Sequence, residues 1–229
     1  MATTFQRARS DEQRAIRRQT ILDTAAAMLE EMPASELSLN ELSRRVGLAK
    51  SNVLRYFDSR EAVFLELLDA RTREWLEHLA AALPPAVSAR AGFERRAEQL
   101  AAVLAGSLAD RPALCDLLGA QAAVLERNVP TEVIASFKRR SIGHATTLVG
   151  MIRAALPELS EDESWRLVIG AFLLISSLWA HATPPQAVLD AYEQIPELES
   201  LRLDFAATLE DSLVTMAMGL HARSTARRR

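Results

Sequence analysis

The sequence is poor in the residues that build sheets, disulfides and metal sites. Of its 229 residues only 8 are glycine, 2 are tyrosine and 1 is cysteine, and alternating β-branched runs are almost absent. The single Cys115 excludes an intrachain disulfide and, with no second thiol beside it, a thiolate metal pair, which favours a reducing cytoplasm. Helix-forming alanine, leucine, glutamate and arginine dominate instead, and they predict an all-α protein.

Features of export and membrane insertion are also missing. Residues 1–20 contain no apolar core of the kind that a secretory signal needs. The apolar stretch 167–183, which ends at a proline pair, is shorter than the ~20 apolar residues of a membrane span and contains Ser176, Ser177 and His181. We therefore expect a cytoplasmic protein without a membrane partner, in which this stretch forms a buried helix.

Positive charge is concentrated at the N-terminal end. Residues 1–60 contain ten Lys and Arg against eight Asp and Glu, whereas residues 61–220 contain thirteen against twenty-two. A modestly acidic chain with a local basic segment is compatible with nucleic-acid binding by a small module. The arginines near the start predict either phosphate contacts or a solvated terminus; they are Arg7, Arg9, Arg14, Arg17 and Arg18.

Prolines and capping residues divide the chain into about nine helices. Ser10, Ser38 and Ser160 each precede a Gln or Glu by three positions, the spacing of the capping box. Apolar spacing predicts helices at about 11–32, 39–46, 50–57, 60–83, 88–110, 112–127, 130–156, 160–182 and 202–222.

The predicted helices suggest two domains. The three helices predicted over residues 1–60 indicate one small domain, and the amphipathic helices over 61–229 predict a helical bundle. We expect the helix at 60–83 to join the two and the segment 184–201 to be an irregular connection.

Signals of enzymatic chemistry are missing as well. There is no glycine-rich phosphate loop, and the four histidines lie too far apart in sequence for a helical metal pair. Most carboxylates fall on predicted solvated helix faces. We expect neither a cofactor nor an enzyme, and only a buried cleft joining His144 to a carboxylate would favour one.

The strongest functional pattern is SLNELSRRVGLAKSNVLRYF, residues 38–57. A capped helix, a turn at Gly47 and a second helix form the helix-turn-helix arrangement. One side of the motif is apolar and can form a small core of Leu42, Val46, Leu48, Val53 and Phe57.

The opposite face of the second helix carries Lys50, Ser51, Asn52 and Arg55, with Tyr56 at its edge. Arginine can bridge guanine and asparagine can bridge adenine in the major groove, while lysine and serine bind phosphates or base edges. The alternative is a corner between two helices whose polar face is only solvated.

The stretch TILDTAAAMLEE followed by LSLNELSRRVGLAKSNVLRYFDSREAVFLELL resembles the DNA-binding domain of the TetR family of transcriptional regulators. The likeness covers about residues 11–70. It rests on a Ser opening the second helix, a recognition helix ending in Phe57, and Ser59-Arg60-Glu61 before an apolar helix. With the exposed face it predicts these DNA-binding residues: Ser38, Lys50, Ser51, Asn52, Arg55, Tyr56 and Arg60.

The sequence departs from the family pattern inside the recognition helix. Leu54 replaces the usual tyrosine, which commonly touches a phosphate, and Ala49 replaces a serine that often caps the helix. Tyr56 or Arg55 can take over the phosphate contact. These departures bear on which operator is read.

The resemblance also implies a homodimer whose C-terminal domain binds a small ligand. Helices 160–182 and 202–222 supply apolar surface for a four-helix interface between two copies, which we favour; the alternative is that both are core helices of a monomer. Polar groups inside apolar helices predict a site for a largely apolar effector, lined by Gln121, Phe137, His144, Leu148, Phe172, Ser176 and Trp179, with His181 a further candidate.

Two functions follow from these observations. The first is a repressor that binds a palindromic operator as a dimer and is released by a small, largely apolar molecule. The second is a helical ligand- or partner-binding protein that retains the fold without specific DNA binding, which Leu54 and the modest positive charge of residues 1–60 favour.

Overall fold

The computed structural model describes the backbone of residues 2–227 and the side chains of residues 12–226. About 80% of the chain is helical, and the described residues form no strand, so the all-α prediction is confirmed. Nine of the helices are at least seven residues long. The α-helices are α1 (Ala2–Leu29), α2 (Leu39–Val46), α3 (Lys50–Val53), α4 (Arg60–Ala86), α5 (Phe93–Ala109), α6 (Pro112–Ala120), α7 (Thr131–Ala155), α8 (Glu161–Ala182), α9 (Gln186–Gln194) and α10 (Phe205–Arg227).

Several helix boundaries differ from the prediction. Helix α1 begins at Ala2 rather than near residue 11, and α3 ends at Val53 rather than near residue 57. Helix α6 continues into a π-helical turn over Gln121–Leu125. Helix α4 includes Pro84 and Pro85, which lie in its last turn.

The segment predicted to be an irregular connection, 184–201, contains helix instead. Helix α9 and a 3-10 turn (Pro196–Leu201) occupy most of it. Pro185 is the N-cap of α9, and Pro196 is the first residue of the 3-10 turn. Proline is tolerated at a helix start because its missing N–H would have no partner there. The prolines therefore mark the beginnings of two short helices.

The helices form two compact units. The first contains the chain up to Asp69 together with Ala120–Lys138, and the second contains Ala70–Gly119 together with the chain from Arg139 onward. Helix α4 begins at Arg60, where the sequence placed a domain boundary, and the division between the two units falls inside this helix, after Asp69. That boundary stays a prediction about which parts fold alone.

The first unit is built around the inner face of α1. Ile21, Ala25 and Met28 recur at helical spacing and are fully or almost fully buried. The opening of α4 adds Phe64, and α2 adds Leu42, both also buried. These side chains form the core on which the helix-turn-helix rests.

The second unit is held by α8 and α10 and by polar contacts between its helices. Helix α10 packs against both α5 and α8. The Trp75 indole of α4 donates a 2.9 Å hydrogen bond to the Ser107 hydroxyl of α5 inside the core. This bond satisfies a buried N–H that would otherwise destabilise the fold.

Within the single chain, helix α8 is buried on one side only. Val168, Ile175 and Leu178 face the interior, whereas Ile169 is 54% exposed and Leu173 is 61% exposed. By length and composition α8 could cross a membrane, a test that core helices of soluble proteins also pass. Its outer face is an apolar surface that this single chain does not cover.

A buried arginine joins three parts of the second unit. Arg96 of α5 donates 3.1 Å hydrogen bonds to the carbonyls of Ala91 and Ala155, and it pairs with the Glu158 carboxylate. Partial burial by itself would raise the pKa of Glu158, but the hydrogen bond from Arg96 and nearby positive charge lower it overall. The carboxylate therefore stabilises the folded state while it stays ionised.

Acid should remove the stabilisation that the ionised Glu158 carboxylate provides. Because the pKa of Glu158 is lower in the folded chain than its ordinary value of 4.5, the stabilisation is present above that value and is lost as the pH falls below it. We expect Glu158→Gln to lower the melting temperature at pH 7 and the difference from the wild type to shrink at pH 3. Glu98→Gln, which breaks an exposed pair with Arg95, is the control and should have a smaller effect at pH 7. An equal Glu158→Gln effect at both pH values would contradict this account.

Candidate DNA-binding interface

The first helix of the motif is fixed at both ends by local bonds. The Ser38 hydroxyl accepts a 3.1 Å hydrogen bond from the Glu41 amide, as the capping spacing predicts. At the other end Gly47 has φ 72°, a left-handed conformation that favours glycine, and its amide donates to the Arg44 carbonyl. The turn between the helices is therefore determined by residues inside the motif.

Helix α3 is short, and its anchors lie beyond its end. It has 4 residues, and its N-cap Ala49 provides no side-chain bond. Backbone bonds extend the turn after the helix, because the Phe57 amide donates to the Val53 carbonyl at 3.1 Å. Both side chains are buried, with Val53 fully enclosed and Phe57 only 4% exposed. We use the term recognition turn for residues 50–57.

The outer face of the recognition turn is polar and accessible. Lys50, Ser51, Asn52 and Arg55 are exposed, and Tyr56 is half-buried at the edge. Among the side chains that the structure describes, none pairs with Lys50 or Arg55. Hydrogen-bond donors without a partner among the described side chains are suited to bind base edges and phosphates.

The arginines of α2 form ion pairs with carboxylates, unlike Arg55 of the recognition turn, which has no such partner among the described side chains. Glu41 accepts hydrogen bonds from Arg44 and Arg45, at 2.6 Å and 2.9 Å, and these bonds lower the pKa of Glu41 to about 2. Arg45 also pairs with Glu31 of the segment after α1 at 2.7 Å. The positive charge of α2 is therefore largely neutralised, and the free charge of the motif belongs to the recognition turn.

Arg18 of α1 fastens the recognition turn to two other helices. Its guanidinium donates to the Tyr56 carbonyl at the end of the turn and pairs with Glu66 of α4, with a 3.2 Å bond from Nε. It also lies 4.0 Å from the centre of the Phe57 ring, within the range of a cation–π contact. One side chain thus connects α1, α4 and the recognition turn.

Two predicted contact residues already have partners within the chain. Arg60 donates to the Leu37 carbonyl at 2.6 Å and pairs with Glu61 at 2.9 Å, so its binding to DNA stays a prediction. Ser38 is exposed, and its hydroxyl serves as the cap of α2. The side chains of Arg7 and Arg9 lie outside the described residues, whereas Arg14 and Arg17 are exposed on α1.

The predicted effector-site residues are distributed over both units. Gln121 and Phe137 are buried in the first unit, where the Gln121 amide donates to Glu126 at 2.7 Å. Within the second unit, Leu148 is buried, His144 and Phe172 are half-buried, and Ser176 and Trp179 line the inner side of α8.

Several of these polar groups have structural partners. The Ser176 hydroxyl donates to the Leu118 carbonyl at 3.2 Å, and the Trp179 ring meets Phe205 edge-on at 5.0 Å. His181 is exposed in the last turn of α8. A groove of about 590 Å³ between α5 and α10 contains none of the predicted residues and is lined mainly by charged and polar side chains. The effector site therefore stays a prediction.

Comparison with protein families matches both parts of the chain. Residues 21–67 match the family described as bacterial regulatory proteins, tetR family. Residues 69–224 match the family described as tetracyclin repressor-like, C-terminal domain. The chain belongs to the TetR family. TetR-family proteins are DNA-binding transcriptional regulators and not enzymes, as the sequence predicted.

Individual TetR-family relatives are similar in more limited ways. A 49-residue stretch is 41% identical to the transcriptional regulator EthR of Mycobacterium tuberculosis, and this stretch is 21% of the chain and 23% of EthR. A TetR regulator from Rhodococcus sp. RHA1 shares the fold, with TM-score 0.55 and 14% identity over 90% of this chain and 95% of that one. FadR of Bacillus subtilis, solved with stearoyl-CoA, gives TM-score 0.52 and 13% identity over 87% and 96%.

Arg18 has a structural role that sequence reasoning missed. The sequence predicted it to be either a phosphate-binding or a solvated arginine, whereas it turns inward to Tyr56 and Glu66. Its position three residues before buried Ile21 places it beside the inner face of α1, and this spacing was the available signal. The partner on α4 lies 48 residues away in sequence and had no such signal.

Removing the Arg18 guanidinium should loosen the recognition turn. Arg18→Met keeps the apolar stem over Phe57 but loses the bonds to Tyr56 and Glu66, and we expect it to destabilise the first unit by about 1–2 kcal/mol. Amide exchange at residues 56 and 57 should accelerate. Arg71→Met is a matched control, because Arg71 has the same side-chain exposure, 39%, and pairs with Glu74 on its own helix. Equal stability and exchange in the two variants would show that Arg18 does not hold the turn.

Proposed function

We propose that this chain is a transcriptional repressor that binds a palindromic operator as a homodimer and is released by a small, largely apolar molecule. The observation that carries the DNA-binding part is the exposed face of the recognition turn, where Lys50 and Arg55 have no partner among the described side chains. Buried Val53 and Phe57 hold the opposite face. A protein acting on DNA in this way works in the cytoplasm and needs neither a membrane nor a cofactor.

Each exposed side chain of the recognition turn has a chemical role in this proposal. Arg55 bridges guanine O6 and N7, and Asn52 bridges adenine N6 and N7. Lys50 and Ser51 at the start of the turn bind phosphates or base edges, and half-buried Tyr56 contributes a phosphate contact at the edge. Ser38 and Arg60 flank this surface as further phosphate contacts.

The homodimer in this proposal forms through α8 and α10. Ile169 and Leu173 give α8 an exposed apolar face, and such surfaces on a soluble protein mark interaction sites. TetR-family regulators generally act as dimers, which supplies the second copy. Two-fold symmetry would then place two recognition turns on the two halves of a palindrome.

Release by an effector requires two states with different affinities. The effector must bind the state that cannot hold DNA more tightly than the DNA-bound state. TetR-family regulators bind small molecules, and FadR of Bacillus subtilis holds stearoyl-CoA, which supports a largely apolar ligand here. We propose that α4, which is continuous from Arg60 to Ala86, transmits the change from the second unit to the recognition turn. The lining residues remain Gln121, Phe137, His144, Leu148, Phe172, Ser176 and Trp179.

Arg55→Ala should weaken operator binding without unfolding the chain. The duplex is one recovered by repeated selection from a random library with the full chain, and affinity is measured by fluorescence anisotropy. We expect a loss of about tenfold or more, because a bidentate guanine contact is removed. Arg95→Ala removes the same charge from an exposed ion pair on α5 and should change affinity little. Unchanged affinity in Arg55→Ala would remove Arg55 from the reading surface.

Leu173→Asp should convert the dimer into a monomer. A charge placed on the α8 face would be buried without a partner, so we expect the dimer dissociation constant to rise roughly 30-fold or more. Sedimentation velocity over a concentration series measures this change. Ile142→Asp on α7 is the matched control, since Ile142 is 62% exposed and Leu173 is 61% exposed. A dimer that survives Leu173→Asp would place the interface elsewhere.

A further inference from the structure

A large apolar side chain lies exposed on the recognition turn. Leu54 is 41% exposed, whereas the adjacent Val53 is fully buried. The Leu54 amide donates to the Lys50 carbonyl at 3.1 Å, which fixes the backbone at the end of α3. Buried Val53 and Phe57 hold the turn in place. The Leu54 side chain therefore does not belong to the core that positions the turn.

The position of Leu54 puts it among the groups proposed to read DNA. It follows Lys50 by four residues and Ser51 by three, so it shares their face of the helical turn. Exposed Arg55 is its neighbour. A single exposed leucine is ordinary on a protein surface, but this one is surrounded by hydrogen-bonding side chains that face outward.

The chemistry of a leucine side chain limits what it can recognise. It has no hydrogen-bond donor, so it cannot make the phosphate contact attributed to the tyrosine usual at this position. In the major groove the apolar group that distinguishes one base from the others is the 5-methyl of thymine. An apolar side chain on the reading surface therefore has one specific partner on the base edges.

We propose that Leu54 is a specificity-determining residue that packs against the 5-methyl group of a thymine in each half of the operator. This inference rests on the proposed function, because it requires the recognition turn to enter the major groove. Through this contact Leu54 would add a preference for thymine. Hydrogen-bonding neighbours such as Asn52 and Arg55 do not supply that preference.

Replacing thymine by deoxyuridine tests this contact, since the exchange removes the methyl group and leaves the base pairing intact. The probe is the duplex selected from a random library, with each thymine replaced singly, and the full chain is titrated by fluorescence anisotropy. We expect replacement at one thymine position per half to weaken wild-type binding about fourfold, the effect of losing one buried methyl group. Other positions should change affinity less.

Variants of the protein show whether Leu54 makes the contact. Leu54→Ala should bind the thymine duplex and the deoxyuridine duplex equally, whereas Leu54→Met, which keeps an apolar side chain, should retain the preference for thymine. Ile16→Ala is the control, because Ile16 is another exposed large apolar residue of the first unit and lies on α1. It should keep the full fourfold effect. Far-UV circular dichroism of each variant verifies that it is folded.

Three outcomes would overturn the inference. If no thymine replacement weakens wild-type binding, or if Leu54→Ala keeps the wild-type difference between the two duplexes, Leu54 does not contact the methyl group, and the proposed function still stands. If Leu54→Ala keeps that difference and weakens binding to both duplexes by the same factor, the side chain contacts the DNA backbone instead. If selection with the full chain enriches no sequence, the proposed function fails, and this inference fails with it.

Discussion

The proposed DNA-reading surface depends on the anchoring of a helix that is too short to be stable alone. Helix α3 has 4 residues and no side-chain N-cap, and isolated helices shorter than about 12 residues are marginal in water. Its conformation therefore comes from what holds its far end. Val53 and Phe57 enter the core, and Arg18 ties the Tyr56 carbonyl to Glu66 of α4. A shift of α4 would act on the recognition turn through the same contacts.

The positive charges of the helix-turn-helix are paired on α2 and unpaired on the recognition turn among the described side chains. On α2 the arginines are neutralised by Glu41 and Glu31, so this helix adds little unspecific attraction for phosphates. Among the described side chains, Lys50 and Arg55 on the recognition turn have no ion-pair partner. In a chain with formal net charge −3, this unpaired positive charge lies on the surface that also carries Asn52 and Leu54. We therefore propose that charge attraction and base recognition share this surface.

The features that could be predicted from the sequence each depend on residues that lie close together in the chain. The caps at Ser38 and Ser160, the glycine turn and the inward pair Val53 and Phe57 each follow from residues a few positions apart. The partnership of Arg18 with Glu66 was not predictable, because side-chain orientation at that distance in sequence depends on tertiary packing. The sequence left open whether α8 is a core helix or a surface for a second copy, because apolar periodicity does not distinguish the two, and the exposure of Ile169 and Leu173 became visible only in the structure.

The most direct measurement is the affinity of the full chain for its selected duplex and for a scrambled duplex at about 50 mM and about 200 mM salt. Fluorescence anisotropy reports both affinities. The account predicts tighter binding to the selected duplex at both salt concentrations, with each affinity falling at least about tenfold as salt rises and phosphate contacts weaken. Equal affinity for the two duplexes would contradict it and would favour a helical ligand- or partner-binding protein that retains the fold without reading DNA.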